Sequence, residues 1–203
     1  MRKGIHVFVE GGGEGPVRAA FREGFNTFLG ELRDRARRKH MEWNVIPAGS
    51  RNDAYQAFRA ACRQRPHIIN ILLVDAEGAV VGSPKDHVCN SDGWDSSIFD
   101  DDTCHLMVQL MEAWFLADVE RLAGYYGSGF RPNLIPHNQD VEQIDKQRVD
   151  SALTEACRHA RRGPYQKAQA HFILERIRPE EVRKRAKHCD RLFESLARLV
   201  DNA

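Results

Sequence analysis

The stretch that decides the fold is residues 5–14, which read IHVFVEGGGE. An apolar run of strand length ends on the carboxylate of Glu10, and a glycine turn then leads to a second carboxylate, Glu14. Pro16 follows and suits the first position of a helix, where its missing N–H would be unpaired anyway. This order predicts a strand, a glycine turn and a helix, with Glu10 at the carboxyl end of the strand. Ligands of open α/β sheets bind at that end.

A second strand ends in the same way. Residues 68–74, IINILLV, are continuously apolar and rich in β-branched side chains, the pattern of a parallel strand that is covered on both faces. Asp75 follows directly and Glu77 comes two residues later. Because a helix, a strand and another helix separate the two runs, both acidic ends are expected at the same edge of one sheet. We therefore expect Glu10, Asp75 and Glu77 to converge.

The remaining pattern predicts the helices and loops around this sheet. Apolar residues at helical spacing predict one amphipathic helix over 16–39, and a short strand over 43–48 precedes a helix capped by Asn52. Residues 78–103, rich in Gly, Ser and Asp, are expected to form a long loop.

From residue 103 the sequence predicts a helix that runs to residue 126. It is apolar on most sides, with His105, Gln109 and Glu112 on one stripe. A carboxylate on a mostly buried helix must be paired, hydrogen-bonded or bound to a metal, and a structural ion pair is the commoner explanation for Glu112.

After a connector over 127–139, apolar periodicity predicts further helices, of which the last begins at Pro179. The expected fold is therefore an α/β domain with a parallel sheet flanked by helices over residues 1–126. A helical C-terminal extension over residues 127–203 is expected to pack on that core.

Length, charge and cysteine content limit the function classes. The 203 residues suit one domain, and no apolar run approaches the roughly 18–20 residues that span a bilayer. The five cysteines are an odd set without a C-x-x-C pair, which indicates a reduced cytoplasmic protein and argues against a zinc site.

The net charge of +1 conceals an asymmetry along the chain. Residues 75–120 carry 11 Asp/Glu against one Lys, whereas residues 1–66 carry 13 Lys/Arg against 7 Asp/Glu. Residues 140–203 are basic again, with 14 Lys/Arg against 11 Asp/Glu. An acidic centre between basic flanks suits a cation site that faces a polyanion. Solvation of helix faces is the alternative explanation.

The chemistry of the acidic edge indicates a hard cation. Carboxylates without His or Cys favour magnesium or manganese, which serve phosphoryl chemistry by neutralising phosphate charge. The glycine run lacks the G-K-[ST] of a Walker A loop and does not match G-x-G-x-x-G, and no G-x-S-x-G elbow exists.

These motifs resemble the Toprim fold, which is shared by topoisomerases, bacterial primases and several nucleases. The resemblance rests on Val9-Glu10-Gly11, on Glu14 and on Asp75-Ala76-Glu77. The chain departs from the common pattern at Glu77, where Asp is usual, so the carboxylate stands one methylene farther out.

More closely, the chain resembles the bacterial family catalogued as domain of unknown function 4276, a Toprim-like family. The resembling segments are residues 105–118, HLMVQLMEAWFLAD, and residues 173–182, ILERIRPEEV. This resemblance implies a Toprim-like core and often an ATPase partner of the ABC/SMC type in phage-defence or mobile-element settings. In related nucleases of the overcoming-lysogenisation-defect type, a further Glu and a Lys complete the site. Glu112 and Lys167 are the candidates here.

Two hypotheses from different classes follow. In the first, the protein is a Mg²⁺- or Mn²⁺-dependent nuclease subunit that acts on DNA or RNA. Glu10, Asp75 and Glu77 bind metal, Glu14 assists, and Lys167 neutralises the transition state. In the second, the protein is a Toprim-derived interaction subunit without catalysis that docks on an ABC/SMC-type ATPase and regulates it.

Overall fold

The computed structural model describes residues 4–203. Its centre is a four-stranded sheet in the order β2-β1-β3-β4, and every neighbouring pair is parallel. The strands are β1 (Gly4–Val9), β2 (Glu42–Pro47), β3 (Ile68–Asp75) and β4 (Cys104–Met107). The predicted α/β class with a helix-flanked parallel sheet is therefore confirmed. All four strands end at the same edge because all four run in one direction.

The two faces of the sheet pack against different helices. Alternate residues of β1 and β3, such as Val7 and Ile71, belong to a large apolar cluster on one face. That face is covered by α1 (Gly15–Phe28) and α2 (Gly30–Arg38). Leu72 of β3 instead belongs to a second cluster under α3 (Arg51–Gln64). Burial on both faces explains why β1 and β3 are mainly apolar, as parallel central strands are, with His6 and Asn70 as buried polar exceptions.

The predicted helix over 16–39 is two helices. α1 ends at Phe28 and α2 begins at Gly30, with Leu29 between them at φ −92° and ψ 19°. Leu29 is fully buried, and the glycine that follows it is a poor helix former. The bend keeps apolar side chains of both helices against the sheet.

The predicted helix over 103–126 was wrong. This segment forms β4, then a 3₁₀ helix over Met111–Ala117, and only then a helix, α5 (Val119–Tyr126). Every residue from Cys104 to Ala117 is buried, apart from Gln109. Such a run shows no amphipathic period, so a covered edge strand and a buried helix look alike in sequence.

The predicted long loop over 78–103 also contains regular structure. α4 (Pro84–Asp92) begins after Ser83, whose hydroxyl accepts a hydrogen bond from the Asp86 N–H, and a 3₁₀ turn covers Ser96–Ile98. The cap of α3 was also assigned to the wrong residue. Ser50, and not Asn52, caps α3 in a reciprocal capping box with Asp53.

The C-terminal segment is helical and shares the main core. Its helices are α6 (Lys146–Cys157), α7 (Ala170–Leu174), α8 (Pro179–Arg185) and α9 (Lys187–Asp201), so the helix predicted from Pro179 is two. Phe193 of α9 meets Phe28 edge-on at a ring distance of 5.6 Å, and Phe28 stacks on Trp114 at 5.2 Å. The domain boundary near residue 126 stays a prediction.

The requirements for a membrane-spanning helix and for a disulfide bond are not met by the described residues. Among residues 4–203, no helix combines the length and the apolar character that crossing a membrane requires. All five cysteines are free thiols.

Candidate metal centre

Three carboxylates converge at the carboxyl edge of the sheet. Glu10 follows β1 directly, Asp75 is the last residue of β3, and Glu77 lies two residues beyond it. One oxygen from each of the three lies within 4.8 Å of the others. The pairing of β1 with β3 explains this, since Val9 stands opposite Leu73 and Glu10 therefore lies beside the last residues of β3.

Backbone N–H groups orient two of these carboxylates. The Asp75 N–H donates to Oε2 of Glu10 at 3.1 Å, and the Met111 N–H donates to Oδ1 of Asp75 at 2.8 Å. Among residues 4–203, Oε1 of Glu10 and Oδ2 of Asp75 have no hydrogen-bond partner. Outer partners of this kind fix the orientation of metal ligands and leave the second oxygen for the ion.

Burial and mutual repulsion favour the protonated forms of these carboxyl groups. Burial raises the pKa of Glu10, although the hydrogen bond from Asp75 and the charge of Arg51 oppose the rise. The pKa of Asp75 lies well above its ordinary value, first because of burial and then because of the charges of Glu10 and Glu112. A cation bound among these groups would relieve the repulsion.

A guanidinium group lies beside the carboxylates. Nη1 of Arg51 is 3.9 Å from Oε2 of Glu10 and also donates to the Asp75 carbonyl. The carboxylate of Asp92 holds the other side of the guanidinium, at 2.8 and 2.7 Å. Arg51 therefore carries a fixed positive charge at the edge of the candidate centre.

Glu77 is more exposed than the other two carboxylates and forms an ion pair. Its partner is the ammonium group of Lys146, the first residue of α6. The hydrogen bond to Glu77 raises the pKa of Lys146. Exposed pairs of this kind contribute little, so a cation could replace the ammonium group at small cost.

A cavity of about 400 Å³ opens beside Glu10 and Asp75. Its wall includes Glu112 and Lys167, two residues that the sequence analysis had singled out. The remaining lining combines the glycine loop with apolar side chains and one histidine: Gly11, Gly12, Gly13, Val17, Phe21, Gly49, Met107, Met111, Ala168, Ala170 and His171. Glu77 and Glu14 do not line it.

Glu112 is 4% exposed, and its partner is a hydroxyl group and not a cation. The Tyr165 O–H donates to Oε1 of Glu112 at 2.7 Å. Burial, followed by the charge of Glu112, raises the pKa of Tyr165, which keeps its proton on the phenol. Glu112 is therefore held by a hydrogen bond and not by the expected ion pair. As expected for a buried carboxylate, it does have a polar partner.

Glu14 is the predicted site residue that the structure leaves apart. It is exposed and precedes α1 as its N-cap, without a hydrogen bond from its side chain to the helix. It is not in the group of carboxylates that converge. Its proposed assisting role receives no support from this geometry.

The glycine turn closes against the end of β2. Gly11 and Gly49 exchange two backbone hydrogen bonds, of 2.7 and 3.0 Å. Gly12 has φ +100°, and a Cβ atom there would stand 2.4 Å from Cβ of Pro47. The loop therefore requires glycine at Gly12, because a side chain would meet both strain and the neighbouring strand end.

Comparison with known proteins identifies a family. The family described as "Domain of unknown function (DUF4276)" matches residues 9–197, which include every predicted site residue. This chain belongs to that family. Neither the curated proteins nor the solved structures include a match to the chain.

Two charged residues of the centre were missed by the sequence analysis. Arg51 and Lys146 each begin a helix that starts at the carboxyl edge of the sheet. For Arg51 a signal was present, because β2 must end at the same edge as β1 and the residues after it lie there. Lys146 had no comparable signal.

Proposed function

We propose that this protein is a Mg²⁺- or Mn²⁺-dependent nuclease that cleaves phosphodiester bonds of nucleic acids. The observation that carries the proposal is the convergence of Glu10, Asp75 and Glu77, with one oxygen of each within 4.8 Å of the others. The resemblance to Toprim nucleases through the same three residues supports it.

The donor set fits a hard divalent cation. All three groups are carboxylates, and magnesium is bound in proteins by one or two carboxylates together with substrate phosphate oxygens. The raised pKa values of Glu10 and Asp75 are what a site built for added positive charge should have in its metal-free form. When bound, such an ion would neutralise phosphate oxygens and lower the pKa of a water molecule.

The chain itself would supply the charges that receive the phosphate. Arg51 holds a positive charge 3.9 Å from Glu10, and Lys167 stands on the wall of the cavity beside Glu10 and Asp75. Both would attract the phosphodiester and offset charge that develops during cleavage. Glu112, held by Tyr165, shares that cavity and is the candidate proton acceptor for the attacking water.

The partner and the compartment belong to the same proposal. We expect the nuclease to act in the cytoplasm as the effector of a phage-defence system with an ABC/SMC-type ATPase, as the family resemblance implies. In the rival hypothesis, the protein docks on the same ATPase and regulates it without cleaving nucleic acid.

One experiment separates the two hypotheses. Purified protein is incubated with plasmid, single-stranded DNA and RNA in Mg²⁺ or Mn²⁺, with EDTA as the control, both alone and with a candidate ATPase. We expect metal-dependent cleavage that Asp75→Asn abolishes and that Asp34→Asn, an exposed carboxylate on α2, leaves unchanged. Absence of metal-dependent cleavage under every condition would favour the regulatory subunit, and equal cleavage by Asp75→Asn would remove the proposed centre.

A further inference from the structure

A groove runs along the outer edge of the sheet. β2 is an edge strand, and the groove beside it has a volume of about 530 Å³. Residues of α1 form one bank and residues at the end of α3 form the other. The full lining is His6, Phe8, Arg18, Arg22, Asn44, Val45, Ile46, Pro47, Ala57, Ala60, Ala61, Gln64 and Arg65.

The charge of this groove is of one sign. Arg18 and Arg22 lie one turn apart on α1, and Arg65 follows the last residue of α3. All three are exposed, and within residues 4–203 none of them forms an ion pair. The lining contains no carboxylate. Glu42 is a carboxylate beside the groove, and it contacts His6 of the lining at 2.9 Å. Three guanidinium groups outside any ion pair are typical of a surface that binds phosphates.

The three arginines form a row along β2, with Arg18 nearest the carboxyl edge of the sheet. α1 starts at that edge and α3 ends at the opposite one, so the order along the groove is Arg18, Arg22 and then Arg65. Nε of Arg18 donates to the Pro47 carbonyl at 2.9 Å. Pro47 in turn packs against Gly12, which lines the cavity beside Glu10 and Asp75.

We propose that this groove binds the sugar–phosphate backbone of a nucleic-acid strand and directs it over the Pro47–Gly12 contact into the carboxylate cavity. This inference rests on the proposed function and names the path of its polymeric substrate. Contacts of this type position the strand without reading its sequence, because guanidinium groups meet phosphates that are the same at every nucleotide.

Binding is tested without cleavage. The anisotropy of a fluorescein-labelled oligothymidylate of about 20 nucleotides, longer than a single-strand site of roughly 4–16 nucleotides, is measured in EDTA with the full chain. Affinity is measured at several salt concentrations for the wild type, Arg22→Ala, Arg65→Ala, Arg22→Lys and Arg161→Ala. Arg161 is the matched control, an exposed arginine beyond α6 that does not line the groove.

The expected effect follows from counterion release. Each phosphate contact to a single strand contributes about 0.7 to the slope of log affinity against log salt, so losing one costs roughly fivefold at about 0.1 M salt. We expect that loss of slope and affinity in Arg22→Ala and Arg65→Ala, retention in Arg22→Lys, and no change in Arg161→Ala. Circular dichroism and melting curves verify that each variant is folded.

Four outcomes would overturn the groove. The first three are equal affinity of Arg22→Ala and wild type, an effect of Arg161→Ala as large as that of Arg22→Ala, and no binding by the wild type. An edge strand can also pair with a second copy of the chain. A dimer that forms through β2 and does not bind the oligonucleotide would be a fourth.

A small phosphodiester separates failure of the groove from failure of the proposed function. Hydrolysis of bis(4-nitrophenyl) phosphate with Mn²⁺ needs the carboxylate centre and not the groove. Arg22→Ala and Arg65→Ala should hydrolyse it at the wild-type rate while they bind the oligonucleotide more weakly. If no variant hydrolyses the ester but the arginine effects on binding remain, the nuclease proposal fails and the groove stands.

Discussion

The carboxylate of Glu10 accepts a hydrogen bond from the backbone N–H of Asp75, at 3.1 Å from Oε2 to N. This contact joins the ends of two strands whose own carboxylates repel each other. The backbone donor lowers the pKa of Glu10, yet burial outweighs it and the net pKa is raised. The close approach of the two buried carboxyl groups carries an electrostatic cost, which a bound cation would offset.

Replacing Asp75 by Asn should remove both a ligand and much of the repulsion. The Asn carbonyl oxygen can still accept the hydrogen bond from the Met111 N–H, so the metal-free variant should be at least as stable as the wild type. Mn²⁺ at about 100 times Kd should stabilise the wild type by roughly 2.7 kcal/mol and the variant hardly at all. Melting curves of both proteins and of Asp34→Asn, with and without Mn²⁺, measure this. The same Mn²⁺ shift in Asp75→Asn and in the wild type would contradict the site.

The raised pKa of Asp75 also predicts how stability depends on pH. The folded state holds the Asp75 proton more tightly than the unfolded chain does. Protonation of Asp75 therefore stabilises the fold fully below the unfolded pKa of about 3.9. This stabilisation is lost as the pH rises through the folded pKa. In EDTA, the free energy of unfolding of Asp75→Asn minus that of the wild type should therefore increase from acid to neutral pH. Denaturant titrations across that range would show a constant difference if Asp75 had an ordinary pKa.

The hydroxyl of Tyr165 is expected to stabilise the fold through Glu112. Tyr165→Phe leaves a carboxylate that is 4% exposed without its partner, which should lower the free energy of unfolding by about 1–3 kcal/mol. Tyr125→Phe is the control, because that hydroxyl makes no hydrogen bond with residues 4–203. Denaturant titration of both variants measures the difference. Equal stabilities would mean that water satisfies Glu112 in place of Tyr165.

The positions of Glu10 and Asp75 could be predicted because each follows an apolar run that can only be a covered strand. Parallel strands end at one edge, so the convergence of their carboxylates followed from topology. Arg51 was open to the same reasoning, because α3 starts after β2 at that edge and its capping box is local. Lys146 begins α6, and its approach to Glu77 is set by tertiary packing, which local sequence does not contain.

The segment from Cys104 to Tyr126 shows where the sequence does not distinguish a helix from a strand. Helical spacing predicts Glu112 on one stripe with His105 and Gln109, but His105 lies in β4 and Glu112 in a 3₁₀ helix. Both side chains are buried, so apolar neighbours on all sides erased the period that separates helix from strand. Glu112 still reached the cavity, through a geometry that differs from the one expected.

Gly12 should tolerate no side chain. At φ +100°, with Cβ of Pro47 2.4 Å from the position of an added methyl group, Gly12→Ala requires the glycine turn to move away from β2. We expect a loss of at least about 1–3 kcal/mol in the free energy of unfolding together with a weaker Mn²⁺ shift. Gly30→Ala, where an added Cβ meets no atom within 4 Å, is the control and should be neutral or stabilising. Thermal melts with and without Mn²⁺ compare the two, and equal stability would refute the close packing of this turn.

Asp118 and Arg178 connect the start of α5 to the start of α8. The Asp118 side chain is 1% exposed and accepts hydrogen bonds from the backbone N–H of Arg178 and from its guanidinium group, at 2.7–2.9 Å. Burial alone would raise the pKa of Asp118, but the bonds from Arg178 outweigh it and the net pKa is lowered.

Because the pKa of Asp118 is lowered, its ionised carboxylate stabilises the fold above the unfolded pKa of about 3.9. This stabilisation is lost as the pH falls through the pKa of Asp118 in the folded state. Asp118→Asn should therefore cost about 1.5–3 kcal/mol of unfolding free energy at pH 7 and progressively less below about pH 4. Glu120→Gln removes the exposed second partner of Arg178 and should change stability little at either pH. Denaturant titrations of both variants at pH 7 and below about pH 4 test this prediction. A cost of Asp118→Asn that is independent of pH would assign its effect to packing and not to charge.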